Sequence, residues 1–253
     1  VARAIAADFL KARPPGRRTL QLFVRINAFD TGLVDADLKA VMPAGPDGIM
    51  LPKAASSADV TRLSARLRVA EAENGLPDGA TSILALITET ARGLLSIHSY
   101  QERMPRLAGV AWGAEDLSAD LGARSSRDGQ GRLTDAFRYA RLATLLVAGA
   151  TEAAAIDTVF TSFRDEAGLR TECEAAERDG FTAKMAIHPA QVPIINEVFT
   201  PSPEALAEAR AVIEAFSASG DVGVVAINGR MYDRPHRRRA ERLLQRAGLN
   251  QPE

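Results

Sequence analysis

The sequence predicts an α/β protein whose parallel sheet closes on itself, and three observations predict it. Short apolar runs alternate with amphipathic helical stretches along almost the whole chain, the signature of βα units and a parallel sheet. A polar or charged residue follows strand after strand: Arg25, Lys53, Glu89, Asp116 and His188. No G-x-G-x-x-G or G-x-x-x-x-G-K turn is present, although an open doubly wound sheet commonly carries a glycine-rich phosphate turn at one switch point. Functional residues spread over many strand ends favour a (β/α)₈ barrel, whose active site gathers side chains from all of them. Six strands are legible where a full barrel has eight, so the barrel is expected to lack two.

Each element has its own reason. Residues 1–12 set Val1, Ile5, Phe9 and Leu10 among Arg3, Asp8 and Lys11, an amphipathic helix that Pro14, Pro15 and Gly16 end. Residues 19–26 (TLQLFVRI) read as a strand with Arg25 and Asn27 at its carboxyl end, and 33–41 as a helix. Residues 48–51 form a short strand before Pro52 and Lys53. A helix over 58–74 closes on Asn74-Gly75, a fitting C-cap. The apolar run 82–87 leads to Glu89, and a helix near 91–96 follows, with His98 a surface or partly buried helix residue. Residues 107–112 are a buried strand that turns at Gly113 and delivers Glu115 and Asp116 to a helix entry. Residues 123–131 are a loop, 135–148 a helix with Gly149 as its C′ residue, 154–160 a strand and 165–179 mostly helix. Residues 181–187 make a strand ahead of His188, Pro189, Ala190 and Gln191. A long helix spans 203–217, a β-rich stretch 222–227 meets the hairpin signal Asn228-Gly229, and 232–247 read as a basic helix.

Composition narrows the class. The chain has 253 residues, enough for one large or two small domains with a substantial core. A formal net charge of −1 gives no global field for nucleic acid or membrane, and neither is expected as a partner. A single cysteine, Cys173, forbids an internal disulfide and fits a reducing, cytoplasmic setting. No apolar span is long enough for a membrane helix, and nothing reads as a signal peptide, although the first residue is Val1 rather than methionine.

Glu89 and Asp116 carry the chemistry. Two acids at the carboxyl ends of two buried strands point to one divalent-metal site, and oxygen ligands suit Mg²⁺ or Mn²⁺. The rival reading is two unrelated acids at helix starts. Arg25 is a natural carboxylate clamp, since guanidinium donates two parallel hydrogen bonds; a structural ion pair is the plainer role. Lys53 either adds positive charge beside a ligand or pairs with an acid across the barrel mouth. Glu115 is a candidate substrate contact or a solvated neighbour of Asp116.

The motifs VRIN (24–27), GIMLPKA (48–54), ITETARG (87–93), GAEDLSADLG (113–122), AIDTVF (155–160), GFTAKMAIHPAQV (180–192) and INGRMYDRPHRRRA (227–240) occur in that order. Together they resemble the citrate lyase beta-subunit-like proteins of the HpcH/HpaI aldolase family, from the first strand to near the C-terminus. The resemblance implies a TIM-type barrel and a Mg²⁺-dependent carbon–carbon lyase acting on a hydroxyacyl-CoA of the citryl-CoA or malyl-CoA type, through a metal-stabilised enolate. It implies Glu89 and Asp116 as metal ligands and Arg25 as the substrate arginine. It sets Ile187, His188 and Pro189 beside the CoA thioester arm; the plainer role of His188 is to organise its loop. Asp233 resembles a C-terminal acid that reaches the active site of an adjacent subunit as a proton donor or acceptor, or else serves as an N-cap. The run Arg237, Arg238 and Arg239 is a solvated face or a contact for CoA phosphates.

The resemblance also implies acyl-CoA and 2-oxoacid partners and a homotrimer or hexamer. Family members carry two strands ahead of VRIN, the second ending in an acidic LDLEDAV-like segment, and no stretch of this sequence corresponds to them. Either the sequence is shortened or the barrel has lost them, and a covered sheet edge is expected in that place. The expected division is an incomplete barrel over 1–200 and a C-terminal hairpin and helix extension over 201–253 that serves a neighbouring subunit. The alternatives are a CoA-independent 2-oxoacid aldolase and a catalytically impaired binding subunit.

Overall fold

The computed structural model describes residues 1–220 and 222–248, in two compact units, Val1–Gln191 and Val192–Glu253. In the first unit six strands form one sheet: β1 (Phe23–Arg25), β2 (Gly48–Leu51), β3 (Ser82–Leu86), β4 (Leu107–Ala111), β5 (Ala154–Asp157) and β6 (Ala183–Lys184). Their spatial order is their sequence order, and every neighbouring pair is parallel. A doubly wound sheet reverses direction at a switch point. This one never does, so the architecture is that of a parallel half-barrel sheet, with β1 and β6 as its two edges.

Strand alternation sorts the side chains. Ile49 and Leu51 of β2, Ile83 and Ala85 of β3 and Val110 of β4 lie in register and are completely shielded from solvent. Between them, Met50, Leu84 and Ile156 alternate to the opposite face and stay half-buried, and Arg25 is exposed. Seven helices belong to this unit: α1 (Ala2–Lys11), α2 (Val34–Val41), α3 (Ser57–Glu73), α4 (Ala91–Leu95), α5 (Ala114–Leu121), α6 (Asp135–Thr151) and α7 (Glu166–Asp179). Trp112, Phe137 and Phe181 are the largest side chains they help to bury. Cys173 of α7 is fully enclosed, and burial pushes its thiol up to about 11. No helix among the described residues is long and apolar enough to cross a membrane.

Glu71 of α3 and Arg106, just before β4, form a bidentate pair with both distances 2.7 Å and both side chains buried. Burial alone would raise the Glu71 carboxyl, but the Arg106 guanidinium and the N–H groups of Thr81 and Gly79 outweigh it and hold the group below its usual range. Its stabilisation is therefore present above the unfolded glutamate value and lost as pH falls through the lower folded one. Glu71→Ala is expected to cost about 3 kcal/mol, the low end for breaking a buried pair, because Asp78 still meets Arg106 at 2.6 Å. Urea denaturation at neutral pH measures it, and the difference from wild type should shrink on acidification.

The second unit contains α8 (Val192–Phe199), α9 (Pro203–Ala218), the hairpin strands β7 (Val224–Ile227) and β8 (Arg230–Asp233), and α10 (Arg234–Arg246). Val212, Ile213, Phe216, Val225, Tyr232, Ala240 and Leu244 make its core. Asn228 and Gly229 both take positive φ at the turn, as their sequence signal requires.

Several boundaries differ from the sequence reading. The first strand shrinks from 19–26 to β1 because Leu22 N–H bonds the Asp47 carboxylate, not a neighbouring strand. The last shrinks from 181–187 to two residues, and the Gln191 side chain takes Ile187 N–H. Gly149 is not a C′ residue: α6 runs on to Thr151, whose hydroxyl bonds Val147 C=O, and the left-handed position falls on Glu152. The basic helix starts at Arg234, since Tyr232 and Asp233 pair with β7. Helix α8 is not legible from the pattern at all.

Candidate active site

Four consecutive strands each deliver one charged residue past their carboxyl ends. Arg25 closes β1, Lys53 follows β2, Glu89 follows β3 and Asp116 sits in the first turn of α5 after β4. Glu89 is only 3% exposed. Its Oε2 accepts the backbone N–H of Lys53 at 2.6 Å. To present that N–H, Lys53 adopts φ 51°, a left-handed conformation that side-chain-bearing residues seldom take. Strain of this kind clusters at functional sites. The Lys53 ammonium lies 3.2 Å from Asp116 Oδ1. One residue thus grips both acids, through its main chain and through its side chain.

The electrostatics follow from that arrangement. Burial pushes the Glu89 carboxyl up, and the negative charge of Asp116 adds to the push; the Lys53 N–H and the cations of Arg25 and Lys53 offset it in part. Lys53 is held above its ordinary value, first by its hydrogen bond to Asp116 and then by that residue's charge, with Glu89 and Asp30 contributing further. Arg25, Lys53, Glu89 and Asp116 therefore share one electrostatic neighbourhood, and Asp30 joins it from a short 3₁₀ turn.

Local structure explains why Glu89 sits there. A Cβ on Gly113 would fall 2.6 Å from Glu89 Cγ, so the side chain occupies space that only glycine leaves open. Thr90 caps α4 by accepting the N–H of Gly93, and a Cβ on Gly93 would fall 2.8 Å from Ile87 C=O. Asp120 accepts Ala91 N–H at 2.6 Å and ties α5 to the start of α4. Thr90, Gly93 and Asp120 were not singled out in the sequence, and Gly113 only as a turn; the N-cap spacing from Thr90 to Gly93 was the available signal.

The other candidates are exposed or serve their own local structure. Glu115 is exposed on α5. Ile187, His188 and Pro189 are exposed on a turn organised by the buried Gln191, which accepts Ile187 N–H at 2.9 Å and donates to Phe160 C=O at 2.8 Å. His188 accepts Ala190 N–H at 3.2 Å and stacks on Phe163 at 4.7 Å. His98 is exposed in a 3₁₀ turn, not an α-helix. Asp233, in the second unit, is the N-cap of α10 and forms a reciprocal capping box with His236. The His236 hydrogen bond holds its carboxyl below the usual range. Arg237 pairs with Glu241 along the same helix.

Glu89 and Asp116 could hold a divalent cation. Among the described residues no group of three or more His, Cys, Asp and Glu gathers around one point. Two carboxylates leaving room for water or substrate oxygen suit Mg²⁺, which dehydrates reluctantly and takes one or two carboxylates.

The family model described as HpcH/HpaI aldolase/citrate lyase matches residues 1–189. The chain belongs to this family. Within the HpcH/HpaI family it is 37% identical over 232 residues to the citrate lyase subunit beta of Leuconostoc mesenteroides subsp. cremoris, covering 91% of this chain and 75% of that protein. It is 36% identical over 226 residues to a (3S)-malyl-CoA thioesterase of Cereibacter sphaeroides, covering 88% and 73%. The crystal structure of Mycobacterium tuberculosis CitE in complex with magnesium, acetoacetate and coenzyme A matches with a TM-score of 0.66 and 38% identity, over 89% of this chain and 78% of CitE. The family likeness and the sequential parallel sheet agree on a TIM-like fold.

Proposed function

We propose that this chain is a Mg²⁺-dependent carbon–carbon lyase acting on a hydroxyacyl-CoA thioester of the citryl-CoA or malyl-CoA type, with Glu89 and Asp116 as the metal ligands. The observation that supports the reading is the gathering of Glu89 and Asp116 around one residue, Lys53, whose main-chain N–H binds the first and whose ammonium binds the second. Relatives described as a citrate lyase subunit beta and a (3S)-malyl-CoA thioesterase, and a CitE structure holding magnesium and coenzyme A, support the substrate class.

Bound there, Mg²⁺ would supply Lewis-acid stabilisation of the oxyanion charge that develops on substrate oxygen. The chain's own residues do the rest. Arg25 clamps the substrate carboxylate with two parallel hydrogen bonds. Lys53, drawn off Asp116, adds a positive charge beside the substrate, and Glu115 flanks it. The turn bearing Ile187, His188 and Pro189 offers an apolar and aromatic surface to the CoA arm. Asp233 accepts the proton of the substrate hydroxyl. The carbon–carbon bond then breaks to a 2-oxoacid and a thioester enolate, whose carbon takes that proton. Asp233 works in a neighbouring subunit of a homotrimer or hexamer.

Incubating the protein with malyl-CoA or citryl-CoA and Mg²⁺, with products read by mass spectrometry, tests the reading. Acetyl-CoA with a 2-oxoacid supports it. Free CoA with the intact hydroxyacid makes the chain a thioesterase, and no turnover of either ester overturns the lyase.

The Lys53 ammonium and a divalent cation compete for Asp116. Lys53→Met is therefore expected to tighten Mn²⁺ binding in the absence of substrate by about 5-fold, roughly what one charge at this distance contributes in a solvated site. Electron paramagnetic resonance of free Mn²⁺ measures it, and weaker binding would show that Lys53 serves to orient the acids.

A further inference from the structure

Two of the motifs, AIDTVF and the FTAKM segment, find no work in the proposed reaction. Their charged residues, Asp157 and Lys184, are instead buried together, with Asp157 against the β4–α5 corner. Trp112 Nε1 donates to Asp157 Oδ1 at 2.7 Å. Asp157 Oδ2 accepts from Lys184 Nζ at 2.9 Å, and the same ammonium reaches Glu172 Oε1 at 2.7 Å. Glu172 Oε2 accepts from Arg127 at 2.6 Å. The residue after Asp157, Thr158, accepts the N–H of Ala114 through its hydroxyl at 3.4 Å. Trp112, Asp157 and Thr158 are at most 2% exposed, and the Lys184 side chain is fully buried.

A buried ion pair of this kind stabilises a fold little more than well-packed apolar residues would. Its geometry is the more telling feature. Lys184 fixes one oxygen of Asp157, and the other faces the indole, with the Arg141 guanidinium of α6 3.6 Å from it. Asp157 and Thr158 therefore clamp Trp112 and Ala114, the residues on either side of Gly113. Gly113 is the floor on which Glu89 lies, and Asp116 stands in the helical turn that starts there.

We infer that Asp157, held by Lys184, and Trp112 are positioning residues that set the β4–α5 corner, and through it the distance between the two carboxylates. The inference rests on Glu89 and Asp116 as the metal pair. It assigns the network a role in cation affinity, because groups that orient ligands typically contribute 10–100-fold to metal binding.

Trp112→Phe removes the donor together with the pyrrole part of a fully buried indole, so some loss of stability comes with it. It is expected to weaken Mn²⁺ binding about 10-fold in a chain that still folds, with a lowered melting temperature and kcat at saturating Mn²⁺ largely retained. Asp157→Asn is expected to produce a similar loss, and the double variant no more than the larger single one, since both act through one bond. Thr158→Val, nearly isosteric, provides a second probe should the tryptophan variant not fold, with a loss of about 3-fold expected for one long hydrogen bond. Trp112 is the only tryptophan of the chain, so its fluorescence reports on this corner directly. Mg²⁺ should change the emission of the wild type and leave that of Glu89→Gln unchanged.

A folded Trp112→Phe that binds Mn²⁺ as the wild type does overturns the inference, as do additive effects in the double variant or an unaffected Thr158→Val. A wild type that binds no Mn²⁺ at all fails the metal reading itself, and this inference with it.

Discussion

Glu89→Gln is expected to lower kcat/KM for hydroxyacyl-CoA cleavage by roughly 10³-fold while leaving the protein at least as stable as the wild type. The first half follows from charge. Glutamine still accepts the Lys53 N–H, so the local geometry survives, but the negative ligand is gone, and losing one preorganised electrostatic group costs about 10²–10³-fold. The second half follows from burial. Burial raises the Glu89 carboxyl from its ordinary value of 4.5, so the folded chain keeps this proton to higher pH than the unfolded chain does. The stability this group contributes is present below 4.5 and lost as pH rises through the folded value. Glutamine has no such loss, so the stability gap in favour of the variant should widen from pH 4 towards pH 7. Steady-state kinetics and urea denaturation at two pH values check both halves. A variant that is inactive because it is unfolded would contradict the prediction.

Gly113→Ala is expected to cost about 10²-fold in kcat/KM and to weaken Mn²⁺ binding, with the fold intact. The backbone at Gly113 has φ −121° and ψ 109°, which alanine adopts without strain. The added methyl, however, would stand 2.6 Å from Glu89 Cγ and 3.1 Å from Oε1. Something has to shift, and Glu89 is the nearest group that can. Displacement of about 1 Å at a reacting group is enough for a loss of this size. Comparing the melting temperature with the Mn²⁺ dissociation constant separates displacement from unfolding. A variant with wild-type Mn²⁺ affinity would show that Glu89 does not depend on that gap.

The elements that carry the sheet were legible because their signals are local. Apolar runs such as SILAL and LAGVA, each reaching a carboxylate within a few residues, mark strand and loop without reference to anything distant. Glu89 and Asp116 could each be picked out for the same reason, as an acid following its own apolar run. What escaped depends on contacts between remote segments. Nothing near Lys53 announces a left-handed backbone, because that conformation is imposed by a carboxylate 36 positions away. Gly113 reads as a turn glycine, whereas the structure makes it the space for a side chain from another strand. Asp157 lies within the stretch read as a strand over 154–160 and proves to be the junction of a tryptophan and a buried lysine. The short β1 and β6 have a common cause, since side chains of Asp47 and Gln191 capture backbone groups that a longer strand would have used.

The sealed environment of Cys173 has a practical consequence for handling the protein. With its acidity shifted to about 11, only about one such group in ten thousand is in the nucleophilic form at neutral pH, and no solvent reaches it. Maleimides and other sulfur-directed reagents should therefore leave the native chain untouched. A single engineered attachment point on α5 would then carry a dye or spin label without background, so the corner bearing Asp116 could be watched as cation and thioester arrive.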